Sequence, residues 1–357
     1  MHNNIQITRP TPIDLTKRPA FFDENSNLVT TMNNLEEGKV VLIRSYYSNG
    51  LNLLKELHVH LTKKLRNNTY QEQQIYRSTF RKLSNLILLE IVQNDLEVKK
   101  APSIGWLEKL YPDVSEFHLP LPQVQGLNSS WQWFKKGIKV PVLRNKIHPY
   151  YGVYFPTRFD HLEVFDTYLK KYVGPKKGAI DVGIGSGVLS LQMVQSGFQK
   201  VYGTDVNPNA IAGLVDYMGE TKLSRKIELE HASLFGSFDK QVELIVFNPP
   251  WLPAGHDVDG IDKAIYYPED LFTSFFKGAK ERLLPEGKLV ILFSNLAQIT
   301  AVTKEHPIEN EIASGGRFQL RRSFKKRVNA ASEKTKRNPH WRDKEEVELW
   351  ELIHKEA

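Results

Sequence analysis

Apolar residues recur along the chain with two different spacings, and the spacing changes near residue 177. In the first part they lie three or four residues apart, which places them on one face of a helix. One predicted helix covers Leu51 to Leu65. The pattern therefore predicts a helical domain over residues 36–120. Another helix, in the second half of this domain, is predicted to contain Tyr76, Phe80, Leu83, Ile87 and Ile91.

The segments on either side of this domain lack that spacing. Residues 1–35 are polar and contain prolines, so we expect an irregular arm. Residues 121–157 form a predicted linker. Within it, KVPVL (139–143) and YYGVYFP (150–156) are two short extended pieces around a turn at Asn145, which predicts a β-hairpin.

Short apolar strands alternate with helical segments in the last part, from residue 158 to residue 357. The predicted strands read GAIDVG, KVYGTDV, IELEHA, VELIVFN and GKLVILFS. This alternation predicts an α/β fold class with a doubly wound, mostly parallel sheet that has helices on both faces. A basic stretch and VELWELIH (347–354) are predicted to add two closing strands. Ligands of such sheets bind beyond the carboxyl ends of the strands.

The composition narrows the class of protein further. A chain of 357 residues that is 41% hydrophobic can form one large core and a smaller domain. It contains no apolar run near the roughly 20 residues of a membrane helix, so we expect a cytoplasmic protein without membrane contact. The absence of cysteine excludes disulfides and cysteine metal ligands, and the histidines form no HExxH pattern. No metal site is predicted.

The net charge of +7 comes from one stretch. Between Arg317 and Arg337 there are nine lysines or arginines and one acid. A local basic patch is typical of a surface that binds an anionic partner such as RNA or an acidic protein. The alternative is a solvated hairpin whose charges serve solubility. The predicted substrate contacts in this stretch are Arg321, Arg322, Lys325 and Lys326.

A glycine-rich loop follows the first predicted strand of the α/β part. Asp181 is followed by glycines at 183, 185 and 187, and glycine allows both a sharp turn and close approach of a ligand. The dinucleotide fingerprint GxGxxG would need a glycine at 188, where Val188 stands, which disfavours a dehydrogenase. The pattern favours S-adenosylmethionine (SAM), held by Asp181, Gly183, Gly185 and Gly187. A tight turn without a ligand is the alternative.

Two further loops extend this cofactor site. Asp205 ends the next strand eighteen residues after Gly187, where an acid is needed to accept the ribose hydroxyls. Asn207 follows it, as a cofactor contact or simply as a helix cap. Ser233 and Leu234, after IELEHA, are the predicted contacts of the adenine.

The fourth strand stops at Asn248-Pro249-Pro250-Trp251. Proline has no N–H, so two prolines cannot continue a central strand. Together with the glycine loop and Asp205, this motif resembles the SAM-dependent N-methyltransferases that act on planar nitrogen. The resemblance spans residues 150–300 and implies a seven-stranded methyltransferase sheet with an antiparallel closing strand.

The resemblance also implies a chemical role for the motif. A planar amide or base nitrogen is a weak nucleophile because its lone pair is delocalised. The side-chain oxygen of Asn248 and the carbonyl of Pro249 would each accept one N–H and hold the nitrogen in line with the methyl group. Pro250 keeps the segment stiff, and Trp251 would stack on the flat substrate group.

Two groups of that superfamily remain open as the closer match. The release-factor glutamine methyltransferases share the helical domain, the hairpin and a segment like Phe155-Pro156-Thr157-Arg158, which makes Arg158 a substrate-binding candidate and the helical domain a substrate-recognition domain. They carry tyrosine where this chain has Trp251. The small-domain RNA methyltransferases modify adenine or guanine nitrogens. The expected substrate is a protein glutamine amide or an RNA base of the translation machinery, and the remaining alternative is an inactive SAM-fold binding subunit.

Overall fold

The computed structural model describes residues 6–65, 70–219, 222–254, 265–329 and 344–355. The chain divides into two compact units. One is formed by Arg9–Lys135, and the other by Met1–Thr8 together with Lys136–Ala357. The domain limits predicted at residues 36, 121 and 158 stay a prediction.

The smaller unit mixes helices with a five-stranded sheet. Its strands run in the order β1-β2-β3-β4, and β5 pairs with β3 along residues 88–92. Strand β3 is buried because β2 lies parallel to it and β5 antiparallel to it. The elements are β1 (Ala20–Phe22), α1 (Leu28–Glu36), β2 (Val41–Ile43), α2 (Tyr47–Lys64), α3 (Tyr70–Ser84), β3 (Ile87–Val92), β4 (Asp95–Leu96), α4 (Trp106–Leu110), β5 (Glu116–Pro120) and α5 (Leu121–Lys136).

This sheet corrects two of the predictions. The helix expected through Ile87 and Ile91 ends at Ser84, and both residues belong to strand β3. A short apolar run is ambiguous between helix and strand, and pairing with β2 and β5 decides it. The arm expected to be irregular contains β1 and α1, because the side chain of Asn27 accepts a hydrogen bond from the Thr30 amide and caps that helix. The helix predicted from Leu51 is present as α2.

The larger unit is the predicted doubly wound domain. Its seven strands run in the order β13-β14-β12-β9-β6-β7-β8, and only β14 runs antiparallel to its neighbours. The elements are α6 (Asp160–Lys170), β6 (Gly178–Val182), α7 (Val188–Gln195), β7 (Lys200–Asp205), α8 (Pro208–Gly219), β8 (Ile227–His231), β9 (Val242–Phe247), β10 (Leu252–Pro253), β11 (Tyr266–Tyr267), α9 (Leu271–Arg282), β12 (Leu283–Ser294), α10 (Leu296–Ile299), α11 (Pro307–Asn310), β13 (Phe318–Arg327) and β14 (Glu346–His354).

Both faces of this sheet are covered, which explains the continuous apolar runs of its strands. Successive residues of β9 point to opposite faces, so Val246 belongs to one core while Ile245 and Phe247 belong to the other. Helices α6, α7 and α8 pack on the first face, and α9 packs on the second. The α/β fold class and the seven-stranded sheet are confirmed.

The predicted hairpin of the linker is wrong. Ile138 and Ile147 form a single antiparallel bridge, with no strand on either side. Pro141 and Pro156 fall in the two pieces and cannot donate to a ladder. The basic stretch is described as far as Asn329, so its last residues lie outside the described part.

Candidate active site

Three loops leave the same edge of the sheet at one level. Val182 is the last residue of β6, and it pairs with Thr204 of β7 on one side and Phe247 of β9 on the other. The residues that follow Val182, Thr204 and Phe247 along the sequence are Gly183, Asp205 and Asn248. The glycine loop, the acid and the Asn-Pro-Pro-Trp motif therefore lie beside one another at the carboxyl ends of central strands.

The glycines of the first loop have different roles. Gly183, Gly185 and Gly187 all have positive φ angles, of 68°, 53° and 80°. A Cβ on Gly183 or Gly185 would meet no atom closer than 3.8 Å, so the backbone there is open to a ligand. A Cβ on Gly187 would lie 2.6 Å from Leu214, so this glycine allows close packing of α7 on α8.

Asp181 lies beneath this loop with only 1% of its surface exposed. Its Oδ2 accepts a hydrogen bond from the Ser190 hydroxyl at 2.6 Å, while Oδ1 is buried and has no hydrogen-bond partner among the described residues. Burial raises the pKa of this carboxyl to about 7. The free acceptor suits a cationic group, such as the ammonium of SAM, which would favour the charged carboxylate.

Asp205 holds the loop from the neighbouring strand. Its Oδ2 accepts the Gly185 amide at 2.7 Å, and its Oδ1 accepts the Asn207 amide at 2.8 Å. Burial raises the pKa of this carboxyl, and the two amide hydrogen bonds oppose that rise. Each oxygen keeps further acceptor capacity, which is what two ribose hydroxyls require.

Asn207 and Asn209 fasten two distant segments to helix α8. The Asn207 side chain accepts the Asn209 amide at 3.0 Å and donates to the Gly152 carbonyl at 2.9 Å, so its contacts are those of a cap. Asn209 is buried, donates to the carbonyls of Thr8 and Tyr151 and accepts the Thr8 amide. The sequence did not single out Asn209, although an Asn-Pro-Asn start of a helix is typical of such caps.

The predicted adenine contacts lie after β8. Leu234 has a φ of 50°, which is strained for a branched side chain, and its carbonyl accepts the Thr204 hydroxyl. The Ser233 carbonyl accepts the Gly236 amide. These bonds bring the loop against β7 beside Asp205. Contact of Ser233 and Leu234 with adenine stays a prediction.

The Asn-Pro-Pro-Trp segment contains an internal hydrogen bond. The indole N–H of Trp251 donates to Oδ1 of Asn248 at 3.3 Å. That oxygen has a second lone pair, so it can also accept an N–H from a substrate. Residues 252–253 pair with 266–267 just beyond the motif, an element that the sequence did not predict.

His161 is a residue of this region that the sequence analysis missed. It lies in the first turn of α6, is 5% exposed, and its ring stands at 89° to that of Trp251 with the centroids 5.6 Å apart. Burial lowers the pKa of its imidazole to about 4, so the ring is neutral at pH 7.

The predicted substrate-binding bases have intramolecular partners, which the sequence did not indicate. Four of them lie on β13 and face carboxylates of β14 and α6, most of which are buried. Their contact with substrate stays a prediction. The pairs are Arg321 and Arg322 with Glu351 at 3.2 and 2.8 Å, Lys325 with Glu348 at 3.0 Å, Lys326 with Glu163 at 2.6 Å and Asp160 at 3.3 Å, and Arg158 with Glu345 at 2.6 Å.

The residues present fit SAM better than a metal. Two open glycines, an acid with acceptor capacity and a buried unpartnered carboxylate oxygen suit a ribose and a cationic amino acid. Within the described ranges no group of histidines and acids is arranged to hold a metal ion. No helix in that same part of the chain is long and apolar enough to span a membrane.

Comparisons with known proteins point to one family. The family described as "Methyltransferase small domain" matches residues 146–320. A relative from Methanocaldococcus jannaschii, named "Putative protein N5-glutamine methyltransferase", is 30% identical over 193 residues, which cover 51% of this chain and 92% of that protein. A ribosomal protein L11 methyltransferase from Carboxydothermus hydrogenoformans is 34% identical over 80 residues, or 22% of this chain and 26% of that protein.

A solved structure was also compared with the chain. It is a ribosomal protein L11 methylase from Lactobacillus delbrueckii subsp. bulgaricus, with 16% identity and a TM-score of 0.39. The match covers 57% of this chain and 83% of that one.

Proposed function

This chain is a SAM-dependent methyltransferase of the methyltransferase small domain family, and on that basis we propose that it methylates the side-chain amide nitrogen of a protein glutamine. The observation that supports the proposal most is the position of Asn248. It directly follows Phe247, which pairs with the residue before the glycine loop. A nitrogen held at Asn248 is then beside the cofactor loop.

The protein's contribution to the reaction is to position and align the nitrogen. SAM supplies an electrophilic methyl group. Oδ1 of Asn248 and the carbonyl of Pro249 accept the two N–H groups of the amide, which orients the nitrogen lone pair toward that methyl. The same acceptors favour positive charge on the attacking nitrogen. Asp181, Gly183, Gly185 and Asp205 hold the cofactor, and Trp251 covers the flat face of the amide.

The charge distribution favours a protein over RNA as the substrate. The described bases of β13 that raised the possibility of RNA binding face carboxylates in their own domain. Such pairs leave less positive potential for a phosphate backbone than the sequence suggested. The relative from M. jannaschii is named for glutamine, which is consistent with this choice. We place the reaction in the cytoplasm, with a component of the translation machinery as substrate.

The test is transfer of labelled methyl groups from SAM to a cell lysate that has been treated with either nuclease or protease. We expect label that survives nuclease, disappears with protease and is recovered as N5-methylglutamine after enzymatic digestion. Asn248→Ala serves as the inactive control. Label that disappears with nuclease would instead establish an RNA base as the substrate.

A further inference from the structure

His161 combines burial with an unused hydrogen-bonding atom. Its Nδ1 is buried and makes no hydrogen bond to the residues that the structure describes. A buried polar atom without a partner destabilises a fold, so such atoms are uncommon away from functional sites. Its neighbour Asp160 does not satisfy it, and the contacts of that carboxylate with Asn329 and Lys326 are made by Oδ1.

The His161 imidazole also contacts Trp251, the residue that is hydrogen-bonded to Asn248. Its ring meets the Trp251 ring edge to face, and Trp251 in turn donates to Oδ1 of Asn248. Movement of the indole therefore changes how much of that oxygen is available to a substrate. A phenylalanine at 161 would make the same edge-to-face contact without any unsatisfied nitrogen, so packing alone does not explain a histidine here.

We propose that His161 is a substrate-positioning residue of the methyl-transfer site, which holds the Trp251 indole in place and offers Nδ1 as a hydrogen-bonding partner to the planar group being methylated. The neutral ring can use Nδ1 as donor or acceptor according to its tautomer, and a carboxamide supplies either counterpart. This inference rests on the proposed methylation of a planar nitrogen at Asn248.

The two roles are separated by two variants. His161→Phe keeps the ring against Trp251 and removes Nδ1, whereas His161→Asn removes the ring and keeps a hydrogen-bonding atom near the position of Nδ1. Tyr168→Phe is the matched control, because it removes a buried hydroxyl from the same helix. Initial rates of methyl transfer from labelled SAM are measured at limiting amounts of the nuclease-treated protein fraction, together with SAM affinity and melting temperature.

We expect His161→Phe to keep or raise the melting temperature and to keep SAM affinity, while its rate falls at least tenfold. His161→Asn should melt lower and yet retain more activity than His161→Phe, and Tyr168→Phe should keep the wild-type rate. A folded His161→Phe with the wild-type rate, or one as active as His161→Asn, would overturn the proposal. Failure of wild type to label protein would refute only the glutamine substrate, and the same variants would then be compared on the RNA fraction.

Discussion

The carboxamide of Asn248 is the smallest part of the molecule on which the proposed chemistry depends. It lies past the end of β9 and has no role in the sheet ladder. Asn248→Ala should therefore leave the fold and SAM affinity nearly unchanged. Removal of one preorganised acceptor costs about 3 kcal/mol of transition-state stabilisation, so single-turnover methyl transfer at saturating SAM should slow by two or more orders of magnitude.

The matched variant is Asn248→Asp, because aspartate keeps an acceptor oxygen in the same place. It should therefore slow methyl transfer less than Asn248→Ala does. Full activity in Asn248→Ala would mean that another group aligns the nucleophile.

Asp205 is the corresponding residue of the proposed cofactor site. Asp205→Ala removes acceptors for two ribose hydroxyls, and a hydrogen bond to a charged group is worth about 1.5 to 3 kcal/mol. We expect titration calorimetry to show SAM affinity at least tenfold lower. Because Asp205 also holds the Gly185 amide, Asp205→Asn is a useful control that keeps one acceptor oxygen. Unchanged affinity in the alanine variant would refute the assignment.

If Asp181 binds the SAM ammonium as proposed, we expect SAM affinity to depend on pH. Burial raises the pKa of the Asp181 carboxyl to about 7, so in the protein without SAM the carboxyl is mostly protonated below that pH. Its contribution to stability is fully present below the unfolded-state pKa, near 3.8, and is lost as the pH rises to about 7. A cationic ligand needs the carboxylate, so SAM affinity should rise up to tenfold per unit between about pH 5 and pH 7, then level off.

The measurement is SAM titration between pH 5 and pH 7.5 in wild type and Asp181→Asn. The asparagine variant should lose this pH dependence. An equal slope in both proteins would show that Asp181 does not meet the cation.

At the level of the element, the pairing of β13 with β14 changes the interpretation of the basic stretch. Glu348 and Glu351 are almost completely buried on β14, and β13 supplies the bases that face them. Burial acts to raise the pKa of Glu348, but hydrogen bonds from His306, Lys325 and Trp350 lower it overall. These bases therefore have a structural role in closing the sheet, whatever they also contact.

Arg322 provides the test of that role. Its Nε and Nη2 both meet Oε2 of Glu351, at 2.9 and 2.8 Å. Arg322→Met should lower the free energy of unfolding by roughly 3 kcal/mol, the low end for a broken buried pair, because Arg321 still faces Glu351. Addition of Glu351→Gln should restore most of the loss in urea unfolding. A single variant as stable as wild type would indicate an exposed, weakly coupled pair.

At the level of the whole molecule, the sequence predicted the parts that follow from local pattern. Apolar strands alternating with helices defined the doubly wound domain, and the motifs at strand ends lie side by side at one edge of its sheet. What it missed depends on contacts between distant residues. Ile87 and Ile91 belong to a strand because Ile87 pairs with β2 and Ile91 pairs with β5. His161 reaches Trp251 only through the packing of α6.

The prolines that follow two asparagines of the site affect the chemical stability of those side chains. Asn207 and Asn248 are each followed directly by proline. Spontaneous loss of an asparagine amide usually begins with attack by the next backbone nitrogen, which must give up its hydrogen to close a succinimide ring. Proline has no such hydrogen. The capping amide and the proposed catalytic amide are thus both protected from this form of chemical ageing, and both should turn into aspartate more slowly than an asparagine that precedes glycine.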